Sequence, residues 1–417
     1  MKPVWFKPRG YRHLDAPVGP SYAANAESPD FVARHSFLPL LHYVKETKRY
    51  RPPPKEKPGA KGKTDVKKRD IMYASHRDAC ILSRYAQELG EALNACYSAA
   101  GLSDCVIAYR KLAKANYDFS ADVLEFARTQ APCTILCFDV SDFFGSLDHH
   151  LLKGRLKRIL GVTELPTDWY NVYRQVTHFT YINVDELKKH PDFVERMNRR
   201  SRAPLATITE VIAAGIPLNG NKKDCGIPQG TPISSAFSNL YMIDFDAALL
   251  AYCAARGALY RRYSDDILIV CPKHMATDAE KFVKDCMVAE KLTVNDDKTE
   301  RHLFDPSRVD HAQYLGFNLS PDEATIRQSS LSRQWRKLLK SVKRIKAAGE
   351  EAIAAGTADK IYTKTLRRRF TSLPVRNFSS YARRSADALE APQIRRQIRR
   401  LERYIERELA AFPGSKP

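Results

Sequence analysis

The sequence predicts an α+β fold: a small antiparallel sheet followed by a helical C-terminal region. Three observations predict it. Residues 261–271 (RRYSDDILIVC) read as a hydrophobic hairpin, with Leu259, Tyr260 and Tyr263 leading in and Ile267, Leu268, Ile269, Val270 and Cys271 leading out around a short polar break. Residues 135–138 (ILCF) form an apolar run of strand length that ends at Asp139. Beyond residue 326, apolar residues recur at spacings of three and four.

Composition narrows the class. The chain has 417 residues, enough for two or three domains and a sizeable core. Its net charge of +20 points to a polyanionic partner, of which nucleic acid is the usual one. No apolar run approaches the roughly 18 residues that a membrane helix needs, so no membrane partner is expected. The first residues, MKPVWFKPRGYRHLD, hold no apolar core of a signal peptide. Nine cysteines without a CxxC pair suit reduced, buried thiols, and a cytoplasmic location is expected.

In chain order, residues 1–44 are rich in Pro and aromatics with weak periodicity. Residues 45–69 (KETKRYRPPPKEKPGAKGKTDVKKR) hold too little apolar surface to fold alone. They read as a basic loop or linker, either a solvated tether or a flexible phosphate-binding arm. From residue 71 to 100 the pattern turns helical, with Ile81, Leu82, Tyr85, Leu89 and Leu93 on one face. Asp148 is placed to cap a helix running through Leu151, Leu152, Leu156, Ile159 and Leu160. His149 and His150 are adjacent, point to different helix faces, and read as structural. The turn NRRSR (198–202) is basic and either touches phosphates or is merely exposed. In GIPQGTPISSAFSNLYM (226–242), a turn-rich loop leads to Thr231-Pro232, a start signal for a helix. Gly230 permits close backbone approach to a flat ligand.

Residues 327–417 hold 23 Lys and Arg against 8 Asp and Glu, so +15 of the total charge lies there. Trp335, Leu338, Leu339, Val342 and Ile345 make one helical stripe. Ile394, Ile398, Leu401, Ile405, Leu409 and Phe412 make another, with Arg395, Arg396, Arg399, Arg400 and Arg403 on its opposite side. A basic helical face suits the backbone of a nucleic-acid duplex, or is simply solvated.

The chemistry concentrates in the hairpin. Asp265 and Asp266 are adjacent on a tight turn, where like charges repel. A divalent cation relieves that repulsion, and carboxylate oxygens are the ligands Mg²⁺ prefers. Asp139, at the end of a neighbouring strand, can share such an ion; alone, it reads equally well as a strand-end turn or helix cap.

Together these elements resemble the palm of a reverse transcriptase. FDVSDFF (138–144) is similar to the first metal-binding motif, IPQGTPISS (227–235) to the template–nucleotide motif, and YSDD (263–266) to the second metal-binding motif. LTVNDDKTERH (292–302) resembles the family's Asn…Lys-Thr motif, and QYLGF (313–317) its primer-grip turn. Five motifs stand in the family's order within about 180 residues. ASHRDACILSRYAQEL, AYRKLAKANYDFSADVLEFA and TDWYNVYRQVTHFTYINVDEL further resemble the bacterial defence-associated, abortive-infection "unknown group" enzymes.

The resemblance implies a right-hand polymerase with a ferredoxin-like palm and a helical basic thumb. It implies an N-terminal extension with basic linker over 1–69, fingers over 70–133, a first part of the palm over 134–149, an insertion over 150–225, the main palm over 226–326 and a thumb over 327–417. It further implies RNA-directed DNA synthesis with two Mg²⁺ ions, Mn²⁺ being an alternative. The partners would be dNTPs, a cDNA product and a dedicated noncoding RNA template in anti-phage defence. Asp139 and Asp265 would bridge the ions, Asp266 and the Val140 carbonyl would assist, and Lys298 would act as general acid toward pyrophosphate. Phe144, five residues after Asp139, would be a steric gate against ribonucleotides. Arg110 would hold the triphosphate, Gln229 and Gly230 would pack at the nucleotide, and Gly316 at the primer. A retron-like or group II intron-like enzyme, or a polymerase-shaped RNA-binding scaffold without synthesis, is the alternative. A viral-type RNA polymerase is disfavoured by Phe144. The three intact carboxylates weigh against the scaffold. The lack of an endonuclease tail, a zinc module or a Val-Thr-Gly element weighs against the first two.

Overall fold

The computed structural model describes residues 2–51, 62–199, 201–308, 310–371 and 376–412. Its strands are β1 (Leu40–Arg51), β2 (Lys63–Tyr73), β3 (Cys133–Asp139), β4 (Thr180–Asn183), β5 (Asn219–Gly220), β6 (Leu259–Tyr263), β7 (Asp266–Pro272), β8 (Glu300–Phe304), β9 (Ala312–Tyr314), β10 (Phe317–Leu319) and β11 (Ala324–Ile326). They form three sheets, ordered β2-β1-β4-β5, β6-β7-β3-β8 and β11-β10-β9.

The sheet β6-β7-β3-β8 is the centre. Side chains alternate faces along a strand, and the two faces enter different cores. Leu136 and Phe138 of β3 and Ile267, Ile269 and Cys271 of β7 pack with the helices Ser234–Tyr241, Ile243–Ala254 and Ala276–Ala289. Cys133 and Ile135 of β3 and Leu268 and Val270 of β7 pack on the other side with the helix Asn116–Thr129 and with β9, β10 and β11. Each fully buried Ile, Leu or Val contributes roughly 1.5–3 kcal/mol relative to an exposed one. Burial on both faces explains why ILCF and ILIVC are continuous apolar runs rather than alternating ones. β3 pairs antiparallel with both β7 and β8, and β6 pairs antiparallel with β7. With helices joining β3 to β6 and β7 to β8, this is a ferredoxin-like order.

Residues 45–69 correct the expectation of a loop. β1 and β2 pair in one continuous antiparallel register from Leu41↔Tyr73 to Arg51↔Lys63. Residues 52–61 of the expected linker lie outside the described residues. The hairpin needs little apolar area of its own. Its base is held by the fully buried Leu40 and Leu41, and β1 also pairs parallel with β4. Polar groups meet across the strands, with His42 Nε2 2.8 Å from Asp70 and Lys68 Nζ 3.6 Å from Glu46.

The first long helix is His76–Ala99, so Ile71 belongs to β2 and not to the helix. Ser75 caps it by accepting from the Asp78 amide at 3.2 Å. The helix His149–Leu160 begins at Asp148, whose side chain accepts from Leu151 N at 2.9 Å. His149 is buried and its Nε2 lies 2.8 Å from the Gly226 carbonyl oxygen. Past β5, helix begins at Ser234, two residues beyond Pro232, because the Ser234 hydroxyl turns back to the Pro228 carbonyl. Helices Gln328–Ala354, Lys364–Phe370, Phe378–Ala388 and Pro392–Ala410 complete the described chain. Ile394, Ile398, Leu401, Ile405, Leu409 and Phe412 are all buried. Leu339 leaves its expected stripe: it is 45% exposed, whereas Leu338 and Val342 are buried. In the turn NRRSR, Arg200 lies outside the described residues.

Candidate active site

The sheet register sets the first geometry. Asp139, the last residue of β3, stands directly opposite Asp266, the first residue of β7. Asp265 sits beside it on the two-residue turn between β6 and β7. Three carboxylates therefore meet at one end of a rigid, doubly buried sheet.

The turn is held from beneath by residues the sequence reading did not single out. Ser264 has φ +62°, a left-handed conformation uncommon outside glycine and Asn/Asp, and it is buried. Its carbonyl accepts from Arg262 Nη1 at 3.0 Å. Arg262 is fully buried and forks onto the equally buried Asp246, at 2.7 Å from Nε and 2.6 Å from Nη2. Tyr260 also donates to Asp246, at 2.6 Å. Burial works against the Arg262 charge, yet Asp246 more than offsets it, so the guanidinium is held above its ordinary pKa. From the other side, Tyr109 Oη lies 3.1 Å from Ser264 Oγ.

Beyond Asp139 the chain pairs with residues 293–295. Asn295 N donates to the Asp139 carbonyl at 2.8 Å, and Ser141 N to the Thr293 carbonyl at 2.9 Å. Val140 lies opposite Val294 between these bonds. In such a pair the backbone groups point away from the partner, so the Val140 carbonyl faces the side of the carboxylate turn. The same segment leads into the short turn Asp296–Lys298, and Lys298 Nζ forms an ion pair with Asp139.

Charge at the site is crowded. The Asp266 carboxyl is pushed up to about 6, first by desolvation and then by the charges of Asp265 and Asp139. Asp266 is open to solvent, so the neighbouring carboxylates are the firmer cause. Lys67 of β2 and Arg327, just after β11, act in the opposite sense. Among the described residues, no set of three His, Cys, Asp or Glu side chains is already gathered as a metal cage. The donor chemistry nevertheless fits a hard divalent cation: three carboxylates at one sheet end, a backbone carbonyl turned toward them, and mutual repulsion that a cation relieves.

The segment that follows Asp139 carries two adjacent aromatic rings. Phe143 is buried, while Phe144 is half-buried against it with ring centroids 5.4 Å apart. The Phe144 carbonyl accepts from Ile227 N at 2.8 Å, and Leu147 O from Gly226 N at 2.8 Å, so the GIPQG loop is stitched to the FFGS turn. A Cβ on Gly226 would stand 2.9 Å from the Gly145 carbonyl oxygen, which is why glycine is needed there. The Gln229 carbonyl accepts from Met72 N of β2 at 2.9 Å. Gly230 has φ +124°, and a Cβ there would stand 2.6 Å from the Met72 carbonyl oxygen. The close approach expected at Gly230 is thus made to strand β2 of the chain itself.

Gly316 and Leu315, both with positive φ, form the two-residue turn between β9 and β10. The Gly316 carbonyl accepts from Arg327 N at 3.0 Å, which ties this turn to the residue whose charge reaches Asp266. Arg110 is differently placed from expectation. Its guanidinium is held inside the chain by Asn94 Oδ1 and the carbonyls of Ser103 and Val106, at 2.7–2.8 Å, and lies over the Tyr97 ring. The basic side chains whose charges reach the carboxylates are Lys298, paired with Asp139, and Lys67 and Arg327, which act on Asp266. On the last helix, Arg396, Arg399, Arg400 and Arg403 line one groove, while Arg395 is paired with Asp387.

Residues 102–319 match the family model of the reverse transcriptase (RNA-dependent DNA polymerase). No curated protein matches the chain. Among solved structures, apo telomerase from Candida tropicalis truncated from its C-terminal domain is similar at 12% identity and TM-score 0.45, over 74% of this chain and 61% of that one. Telomerase from Candida albicans, in complex with a TWJ fragment of telomeric RNA, is similar at 12% identity and TM-score 0.44, over 92% and 66%. No helix among the described residues is long and apolar enough to cross a membrane.

Proposed function

This chain belongs to the reverse transcriptase family, and from that premise we propose that it is an RNA-directed DNA polymerase whose reacting centre is Asp139, Asp265 and Asp266. The observation that carries the proposal is the register that sets Asp139 opposite Asp266, with Asp265 on the adjoining turn. A primer 3′-hydroxyl would attack the α-phosphate of a dNTP, with pyrophosphate leaving. Two bound Mg²⁺ ions would supply charge stabilisation on the attacking and leaving oxygens. Asp139, Asp265, Asp266 and the Val140 carbonyl would hold them.

The remaining residues position and protonate. Lys298, already at Asp139, is close enough to the site to hand a proton to the departing pyrophosphate. Arg110 would reach the triphosphate only by leaving the carbonyls of Ser103 and Val106 that now hold it. Phe144 closes the floor beneath the sugar and leaves no room for a 2′-hydroxyl. Gln229 and Gly230 fix the loop over the nucleotide, and Gly316 supports the primer turn. Arg396, Arg399, Arg400 and Arg403 hold nucleic acid by its phosphates. Residues 70–133 would serve as fingers with the β1–β2 hairpin added, 134–149 and 226–326 as palm, and 327–417 as thumb.

The biological reading is anti-phage defence with a dedicated noncoding RNA as template. Its support is the resemblance of residues 74–89, 108–127 and 167–187 to defence-associated enzymes. The test of the activity is incorporation of labelled dNTPs on a primed RNA with Mg²⁺. Asp139→Ala and Asp265→Ala should each abolish it while RNA binding persists; incorporation at the wild-type rate by either would remove the metal assignment. The test of the setting is phage plating on cells carrying the gene with its flanking RNA. Protection that survives Asp265→Ala would separate defence from synthesis.

A further inference from the structure

Helices Gln328–Ala354 and Pro392–Ala410 enclose a groove of about 810 Å³, in the range of ligand clefts. It is lined by Arg396, Arg399, Arg400, Arg403 and Arg407 together with Trp335 and Tyr404. No acidic residue lines it among the described residues; Glu408, 3.6 Å from Arg407, stands outside the lining. The five arginines are exposed, while Trp335 and Tyr404 are half-buried and meet edge-on with centroids 5.5 Å apart. The Arg407 guanidinium lies 5.3 Å from the centre of the Tyr404 ring. The back of the groove is a separate apolar core that includes Leu338, Val342, Leu401 and Ile405, so both rings sit on fixed supports.

We propose that this groove binds an unpaired RNA segment, with bases against Trp335 and Tyr404 and phosphates on the arginines. The inference rests on the RNA-directed reading above and specifies which form of nucleic acid this surface takes. A duplex turns its bases inward and offers only sugars and phosphates, for which arginines alone suffice. Aromatic rings set among arginines add affinity only where base faces are free, as in single strands. During synthesis the new DNA is paired with its template, so the unpaired strand at hand is RNA.

The test is affinity of the full chain for a 15-nucleotide unstructured RNA and for the same RNA annealed to complementary DNA, each over a salt series. Trp335→Leu with Tyr404→Leu keeps apolar bulk and removes the stacking faces. It should weaken the single strand at least tenfold and leave the duplex within twofold. Replacing Arg396, Arg399, Arg400 and Arg403 by Gln should flatten the single-strand log–log salt slope by about three units. Equal loss for duplex and single strand in the aromatic variant, or no loss for either, overturns the proposal. Unfolding of the aromatic variant is excluded by its circular dichroism and by dNTP incorporation on a pre-annealed primer–template, which should persist. Lack of incorporation by the wild-type chain would instead defeat the polymerase reading and leave the groove comparison standing.

Discussion

Replacing Asp246 by Ala should test how the carboxylate turn is held. Arg262 and Asp246 are both fully buried, so the substitution strands a guanidinium without its counter-charge. Arg262 would lose two bonds of 2.6–2.7 Å, and the buried Tyr260 hydroxyl would lose its acceptor. Only Ser264 O and Asn239 Oδ1 would remain to Arg262, at 3.0 and 3.3 Å. Breaking a buried pair in this way costs about 3–5 kcal/mol, or roughly a 10²- to 10⁴-fold loss in folding equilibrium. That is a large share of the roughly 5–15 kcal/mol typical of a domain. Urea titration followed by circular dichroism should show the loss as a lower midpoint. The double variant Asp246→Leu with Arg262→Met should recover most of the stability, because both charges are then gone. It should not recover synthesis, since Ser264 O still lacks its donor and a displacement of about 1 Å at reacting groups can cost 100-fold. An Asp246→Ala midpoint equivalent to a loss below about 0.5 kcal/mol would refute the energetic argument. Full activity in the double variant would refute the positioning argument.

Other expectations concern single sites. Asp266, raised from 3.8 to about 6, keeps a proton in the folded chain that the unfolded chain has lost between those values. Its contribution to stability is therefore present at acid pH and lost as pH rises through about 6; the urea midpoint of wild type minus that of Asp266→Asn should fall between pH 4 and 7, and a flat difference contradicts the crowding. Phe144→Val should raise ATP use relative to dATP by tenfold or more, and an unchanged ratio would reduce Phe144 to packing. Gly230→Ala should cost on the order of 1–3 kcal/mol from its positive φ and disturb the Gln229–Met72 bond; Gly10→Ala, with nothing near the added methyl, serves as the control.

The parts of this molecule visible in the sequence are those fixed by apolar periodicity. ILCF and ILIVC read as buried strands, and the acidic residues that bound these runs place Asp139 and Asp266 at the strand ends. The stripe from Ile394 to Phe412 named a helix and its solvent side in the same way. What escaped was held by polar groups. The β1–β2 hairpin satisfies its backbone by pairing, so Lys-rich composition hid a long register. Arg262 and Asp246 lie 16 residues apart with no sequence pattern that pairs them, although both are fully buried. Arg110 is expected at the triphosphate, yet the chain's own carbonyls take up its guanidinium. The phosphate-binding arm expected over residues 45–69 includes Lys67, but its place on a paired strand opposite Thr47 is not legible from composition.

The central claim is tested most directly by sequencing what the purified chain makes when given a defined RNA, a primer, Mg²⁺ and all four dNTPs beside all four NTPs. The account predicts DNA complementary to the RNA from wild type and no product from Asp265→Ala. A ribonucleotide product, a product unrelated to the RNA, or DNA still made by Asp265→Ala would contradict it.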